Sequence, residues 1–356
     1  MKVIIEETEI MPSYNLESIS PLGEMLLFDI ETTGLKKETT QIYLIGCGYF
    51  NGVGNFEVRQ WLAESAMDER EVLESFFDFA KDYSVLIHFN GDGFDIPYVS
   101  YKAQYYGYDF DFSRFESIDI YKKIKPYKKF LGLERMNQTS LEAFLGITRR
   151  DKMNGGLLIP YFYEYERSGE AEAERLLLLH NNDDVRGMIQ LTAALSYADI
   201  FEGKFGAKGK LEEFGNTMIM EFELKNPVPK PVICESEFEM AAVEGTLLQI
   251  NVKIAETEAK IPVKNVEDYF YLPLEDRIIH KDVAAFVDKK FRKKATAKNC
   301  FLKKTGRFIP AFGLEESLAM IPGPKGKLWC ALEAEQLKAA DQSFLRVYAE
   351  KCLKNL

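Results

Sequence analysis

The sequence predicts an α/β fold, a mixed sheet flanked by helices, followed by an α+β accessory region. Three observations carry that reading. An apolar run from Met25 ends in two carboxylates, two further strand-like runs follow it around a Gly- and Asn-rich turn, and another buried-type strand arrives only after a helical stretch. Short antiparallel steps followed by a helical crossover specify a sheet of mixed sense.

The first run is Met25-Leu-Leu-Phe-Asp-Ile-Glu-Thr-Thr-Gly-Leu35. Side chains two apart on a strand share a face, so Asp29 and Glu31 aim at one point. Paired acids at the rim of a buried strand repel unless a cation lies between them, and a hard divalent ion suits oxygen ligands. Taken alone, the pair favours a strand entering an acidic turn, because such pairs are common. Gln41 to Phe50 and Asn55 to Trp61 read as the next two strands, joined by Asn51-Gly-Val-Gly54, whose residues tolerate positive φ. A helix over Asp68 to Lys81 leads into a short strand over Ser84 to Phe89.

Gly91 and Gly93 then mark a turn, and Phe94 onward reads as helix, with Pro97 tolerated in the first turn. Asp95 thus falls where a strand hands over to a helix, the usual crevice of an open α/β sheet. An N-terminal helix charge is the other reading of Asp95. Asn90 at the strand tip is placed to bond a phosphate or to brace Asp95, and Asp92 reads as solvated. Thr139 and Glu142 suggest a capping box for a helix ending near Gly146. The long helical stretch Ala171 to Leu191 carries His180 and Asp184 one turn apart on one face. Asp183 is rotated away by about 100°, so His180 selects Asp184 from the adjacent pair.

In this order, D-x-E-T-T-G-L, F-N-G-x-x-F-D-I-P and H-N-x-x-D-V resemble the DEDD exonuclease superfamily, and within it the YprB-like ribonuclease H-like family. The likeness runs over roughly residues 20 to 200 and includes Thr139 to Ile147 with Arg149-Arg-Asp. It implies an RNase H-like five-stranded mixed sheet and metal-dependent 3′-to-5′ exonuclease chemistry. The implied metal ligands are Asp29, Glu31, Asp95 and Asp184, holding two divalent cations, Mg²⁺ or Mn²⁺, that activate a water and stabilise the leaving oxygen. It further implies that Thr32, Thr33 and Leu35 contact the terminal nucleotide, Leu35 by wedging against its base. One feature departs from the superfamily, whose members place a tyrosine four residues or a histidine five residues before the last aspartate. Here a histidine, His180, stands at the four-residue spacing. An imidazole there either orients the attacking water or serves as a hydrogen-bonding prop.

With 356 residues the chain has room for two domains, and 46% hydrophobic content is that of a globular protein. A net charge of −11 argues against coating nucleic acid through the overall field. It leaves room for a nuclease, whose cations reverse the sign locally. Five scattered cysteines give neither a zinc pattern nor a disulfide framework. No signal core or membrane-length run is present, which leads to the expectation of a cytoplasmic protein without membrane contact.

Lysines interleave with aromatics from Tyr121 to Phe130, including Lys122 and Lys123, as in segments that grip a backbone and stack bases. A solvated helix surface is the alternative. The stretch from Lys289 to Arg307 contains no acid at all. Within it Lys289, Lys290, Arg292, Lys293 and Lys294 are the expected phosphate contacts outside the site, with a solvated charged face as the alternative.

The expected domains are an extension over 1–19, the nuclease-like domain over 20–203 and an accessory region over 204–356. Within the last, strands are expected at Gly245 to Ile254, Lys260 to Lys264 and Asp268 to Leu272, with helices at Arg277 to Lys294 and Glu333 to Leu353. His280 and Trp329 read there as packed or surface residues. The function expected is a 3′-to-5′ exonuclease on single-stranded or 3′-ended DNA or RNA. The alternatives are a structure-specific endonuclease and a non-catalytic nucleic-acid-binding protein on the same scaffold.

Overall fold

The apolar run from Met25 becomes an inner strand of a six-stranded sheet. The computed structural model describes residues 1–153, 155–314, 319–323 and 327–356. The sheet belongs to a first unit made of Met1–Asp199 with Asn226–Lys230. Its strands are β1 (Lys2–Thr8), β2 (Met25–Thr32), β3 (Ile42–Phe50), β4 (Phe56–Leu62), β5 (Val85–His88) and β6 (Glu116–Asp119), in the spatial order β1-β4-β3-β2-β5-β6. β2, β3 and β4 pair antiparallel, whereas β5 lies parallel to β2 and β6 parallel to β5. The parallel steps need crossovers, which α1 (Glu69–Ala80) and α2 (Asp95–Tyr106) supply.

The mixed, helix-flanked sheet agrees with the expectation and has one strand more. That strand comes from the N-terminal segment read as an extension. Lys2-Val-Ile-Ile-Glu-Glu-Thr8 alternates, and it pairs with β4 from Lys2↔Leu62 to Thr8↔Phe56. Every residue of β3 is buried, as befits a strand covered on both faces. On one face Phe28 stacks on Phe76 of α1 at 5.0 Å, and Trp61 meets the same ring edge-on at 6.3 Å. The other face lies under α6 (Ala171–Leu191), whose buried stripe is Ala173, Leu177, Val185, Met188 and Leu191.

Between β6 and α6 come α3 (Ile120–Ile124), α4 (Gln138–Leu145) and α5 (Gly155–Ser168), and α7 (Leu195–Phe201) follows α6. The α4 cap differs from the expected box. Asn137 caps the helix by accepting the Ser140 N–H at 2.9 Å, and Glu142 is buried instead. Gly146 closes α4 at φ 75°, a left-handed value that favours glycine.

The second unit comprises Ile200–Lys225 and Pro231–Leu356. β7 (Lys210–Phe214), β8 (Thr217–Glu235) and β9 (Glu239–Lys253) form one sheet. β10 (Ala255–Pro262), β14 (Phe301–Pro310), β15 (Ala319–Pro322) and β16 (Leu328–Glu333) close a small barrel around Ala259, Phe308 and Ile321. β11 (Tyr269–Leu272), β12 (Arg277–His280) and β13 (Lys293–Lys294) make a third sheet beside α8 (Lys281–Ala284).

The helix expected over Arg277 to Lys294 is therefore reduced to the four-residue α8 between β12 and β13. Ile278 and Ile279 are β-branched and pair across from Tyr271 and Phe270, and this pairing decides a short apolar run that periodicity alone leaves ambiguous. The expected closing helix is two, α9 (Ala334–Lys338) and α10 (Gln342–Asn355). It breaks because Asp341 caps the second by accepting the Phe344 N–H at 2.8 Å. Trp329 packs edge-on against Phe238 at 4.7 Å, and His280 caps α8. All five cysteines are free thiols. Among the described residues, no helix is long and apolar enough to cross a membrane.

Candidate metal centre

β2 points Asp29 and Glu31 at the face covered by α6. Asp29 lies opposite Gly46 of β3, and Asn181 of α6 crosses to donate to Asp29 Oδ2 at 2.9 Å. Asn181 is itself held by Gln60 of β4, which donates to its Oδ1 at 2.9 Å. This crossing requires glycine at 46, where an added Cβ would stand 2.0 Å from Asn181 Oδ1. Asp95, the first residue of α2, accepts the Ile30 N–H at 3.2 Å and is thereby brought to the same strand from below the β5–α2 turn.

His180 and Asp184 arrive from α6. His180 Nε2 lies 3.5 Å from Glu31 Oε1 and 3.3 Å from Asp184 Oδ2, and ligand atoms of these three residues all fall within 4.8 Å of one another. Asp183 faces elsewhere, accepting from the backbone N–H groups of Arg150 and Asp151 and from Arg150 Nε.

Electrostatics express the same convergence. Burial, then repulsion from Asp184, Asp95 and Glu31, pushes the Asp29 carboxyl well above the usual range, with the Asn181 hydrogen bond opposing. Glu31 is pushed up to about 8 by burial, with His180 working against the shift and Asp184 and Asp95 adding to it. Asp95 is pushed up to about 7, chiefly by burial, against the hydrogen bonds it accepts from backbone N–H groups and with Asp119 and Asp184 adding. Three acids that resist ionisation together are three acids a cation would stabilise. The donor set is hard oxygen with one imidazole edge, which suits Mg²⁺ or Mn²⁺. The Tyr43 hydroxyl is buried beside Glu31 with no hydrogen bond of good geometry.

Two basic side chains already lean on this charge. Arg149 donates to Asp184 Oδ1 at 2.7 Å and to Glu142 Oε2 at 3.1 Å. Burial works against its charge, yet Asp184 and Glu142 outweigh burial and raise its pKa. Gln138 adds a hydrogen bond to the Asp184 carbonyl at 2.9 Å. His180 meets the same charge: burial would lower its pKa, but Asp184, Glu31 and Asp151 raise it.

The flanking residues are placed as follows. Thr32 donates to the Gly34 carbonyl and Thr33 accepts the Gln41 N–H, so both hydroxyls close the loop after β2. Leu35 projects from that loop and is 84% exposed. Asn90 takes a left-handed φ of 63° and donates its N–H to Asp119 at 2.9 Å.

Asp92 is not a merely solvated acid, since it accepts from Ser117 Oγ at 2.9 Å and from Lys122 Nζ at 3.2 Å. Together His88, Asp92 and Asp119 form a second cluster at the ends of β5 and β6. Its histidine is engaged by the surrounding chain: His88 Nδ1 accepts the Gly91 N–H and Nε2 meets Ser117 Oγ. That cluster shapes the turn leading to Asp95.

Lys123, like Lys122, lies on α3. In the second unit Lys289, Lys290, Lys293 and Lys294 are exposed. Arg292 is tied down there, stacked over Phe270 at 4.9 Å and donating to the Ala284 carbonyl. Sequence reading missed Asn181, Asp151, Arg149, Gln138 and Asp119 as participants. The available signal was the charged run Arg149-Arg-Asp151, with three residues between it and the Gly155-Gly156 helix start.

Comparison with known proteins places this geometry. The RNase_H superfamily model matches residues 26–196. DNA polymerase 1 of Sulfurisphaera ohwakuensis is 30% identical over 155 residues, 38% of this chain and 18% of that one. The chain thus spans less than a fifth of that curated relative. Among solved structures, the family B DNA polymerase of Pyrobaculum calidifontis aligns over 93% of this chain and 45% of its own at 13% identity and a TM-score of 0.39. A structure titled as an ExoI/SSB-Ct complex aligns over 79% of this chain and 65% of its own at 10% identity and a TM-score of 0.34. Both superpositions are loose and add nothing to the assignment. The strand order and the superfamily match together make residues 26–196 an RNase H-like domain.

Proposed function

We propose that this chain is a metal-dependent 3′-to-5′ exonuclease of the DEDD type, similar to YprB-like proteins, acting on single-stranded or 3′-ended nucleic acid. The observation that carries the reading is the cluster of Glu31, His180 and Asp184, whose ligand atoms lie within 4.8 Å of one another, with Asp29 and Asp95 near enough for mutual repulsion to help push the Asp29, Glu31 and Asp95 carboxyls upward. Those four carboxylates would hold divalent cations, Mg²⁺ or Mn²⁺, which when bound supply the positive charge that activates a water and steadies the leaving oxygen.

The chain's own groups do the rest. Asn181 fixes Asp29 and the Ile30 N–H fixes Asp95, so two ligands are oriented before any ion binds. His180 presents Nε2 to the gap between Glu31 and Asp184, where it can take or steer a water proton. Leu35 is exposed and would pack against a terminal base, and Thr32, Thr33 and Asn90 are proposed to contact the same nucleotide. Exposed lysines at 122, 123, 289, 290, 293 and 294 would hold the strand's phosphates. Arg292 is more a packing residue of its own small sheet. A cytoplasmic site of action belongs to the same proposal.

The test uses single-stranded DNA and RNA labelled at the 3′ or the 5′ end, with Mg²⁺, Mn²⁺ or chelator, beside Asp29→Ala. Early release of the 3′ label with a 5′-labelled ladder supports the proposal. Internal cuts select an endonuclease. Binding without turnover, unchanged in the variant, selects a non-catalytic scaffold.

A further inference from the structure

We infer that Asp151 is a positioning residue of the metal centre, fixing the His180 ring so that Nε2 rather than Nδ1 carries the lone pair facing Glu31 and Asp184. The geometry stands by itself, while its catalytic consequence rests on the nuclease reading. Asp151 Oδ2 lies 2.5 Å from His180 Nδ1, and the Asp151 side chain is only 2% exposed. Asp151 Oδ1 accepts the Met153 N–H at 3.0 Å and Oδ2 lies 3.9 Å from the Arg149 guanidinium, so both oxygens face donors, surroundings that favour the carboxylate and lower its pKa against burial. An ionised carboxylate only accepts, so the proton of this bond resides on Nδ1. The opposite nitrogen then has no proton when the ring is neutral.

The brace is itself built by the helix it serves. Asp183 Oδ2 accepts the N–H groups of Arg150 and Asp151 at 2.6 and 2.7 Å, and Asp183 Oδ1 accepts Arg150 Nε at 2.8 Å. The 149–151 loop is therefore fastened to α6 at Asp183 and returns a carboxylate to His180, three residues earlier on the same helix. Arg149, at the start of the loop, reaches Asp184. Adjacent acids thus divide the work: Asp183 anchors the loop and Asp184 belongs to the centre. With Asp151 removed, the ring proton is free to move to Nε2, where two carboxylates attract it and the lone pair is lost to the reaction.

The chain has three histidines, which makes the ring directly observable by long-range ¹H–¹⁵N NMR of the metal-free protein, with His180→Gln as the assignment control. At a pH where the ring is neutral, the expected His180 signature is a protonated Nδ1 and an unprotonated Nε2. Asp151→Asn should move it toward Nε2–H. In the nuclease assay the same variant should lower kcat by about 10- to 100-fold, the usual effect of losing such a partner, with KM within about twofold. In a His180→Ala background it should cost nothing further. A wild-type ring protonated on Nε2 overturns the inference without any variant. So does an equal loss from Asp151→Asn with and without His180, or a loss confined to KM. If the wild-type protein cleaves no nucleic acid but shows the Nδ1–H ring, the positioning stands and the nuclease reading alone falls.

Discussion

Replacing Gly46 by alanine should disable the centre from a residue that carries no functional group. The added Cβ would lie 2.0 Å from Asn181 Oδ1, 2.7 Å from its Cγ and 2.8 Å from its Nδ2, so the Asn181 amide must move. Asn181 is fully buried and sits in a helix packed across β2, β3 and β4, which leaves it little room to move. Overpacking of this kind costs about 1–3 kcal/mol. The displaced amide also releases Asp29 and Gln60, whose hydrogen bonds to it are both 2.9 Å, and each buried polar group left unsatisfied costs about 1–3 kcal/mol. The sum expected for Gly46→Ala is a destabilisation of about 3 kcal/mol or more.

Urea unfolding followed by Trp61 fluorescence, in a Trp329→Phe background, reads the first unit, since the chain has only two tryptophans. Asn181→Ala removes the obstacle, so the pair of substitutions should cost at least 1 kcal/mol less than the sum of the singles. A Gly46→Ala protein within about 0.5 kcal/mol of wild type, or simple addition in the double variant, would refute the steric argument.

The crowded acids of the metal-free centre should make the fold less stable as pH rises from mildly acidic to alkaline values. Glu31 and Asp95 have folded pKa values of about 8 and about 7, above their unfolded values, so folding takes up protons. The stability they give is present below the unfolded values near pH 4 and is lost as pH rises through about 7 to 8. Melting temperature in chelator should fall from pH 5.5 to pH 8.5, and Mg²⁺ or Mn²⁺ should reverse that fall at pH 8.5; a flat profile contradicts the crowding of acids. Arg149→Ala leaves the buried Glu142 without its guanidinium and should cost about 3 kcal/mol or more by denaturant titration. Converting Lys289, Lys290, Lys293 and Lys294 to glutamate should leave melting unchanged, because all four are exposed, while weakening strand binding and flattening its salt dependence. An unchanged salt slope would remove this run from the binding surface.

What was legible in the sequence was what local periodicity encodes. Asp29 and Glu31 follow the two-residue repeat of a strand, and His180 and Asp184 the four-residue repeat of a helix, so their shared faces could be read directly. The β3–β4 hairpin and the β5–α2 handover were legible for the same reason, their turns being marked by glycine and asparagine. Asn181, Asp151 and Gly46 were not. Each acts across a contact between elements more than 25 residues apart in the chain, and no local pattern separates a buried bridging amide from a helix-surface one. The segment from Arg277 failed for a related reason, since Ile278 and Ile279 become a strand only because Phe270 and Tyr271 lie beside them. Lys2–Thr8 had the alternation of a strand, but its partner β4 lies some fifty residues on.

The central claim is that Asp29, Glu31, Asp95 and Asp184 form one cation-binding centre. Calorimetric titration of the metal-free protein with Mn²⁺ at pH 8 tests it most directly. The account predicts saturable binding in the wild type that is lost or weakened by at least tenfold in Asp29→Asn and in Asp184→Asn, with both variants folded. Indistinguishable titrations of wild type and variants, or no binding by any of them, would contradict it.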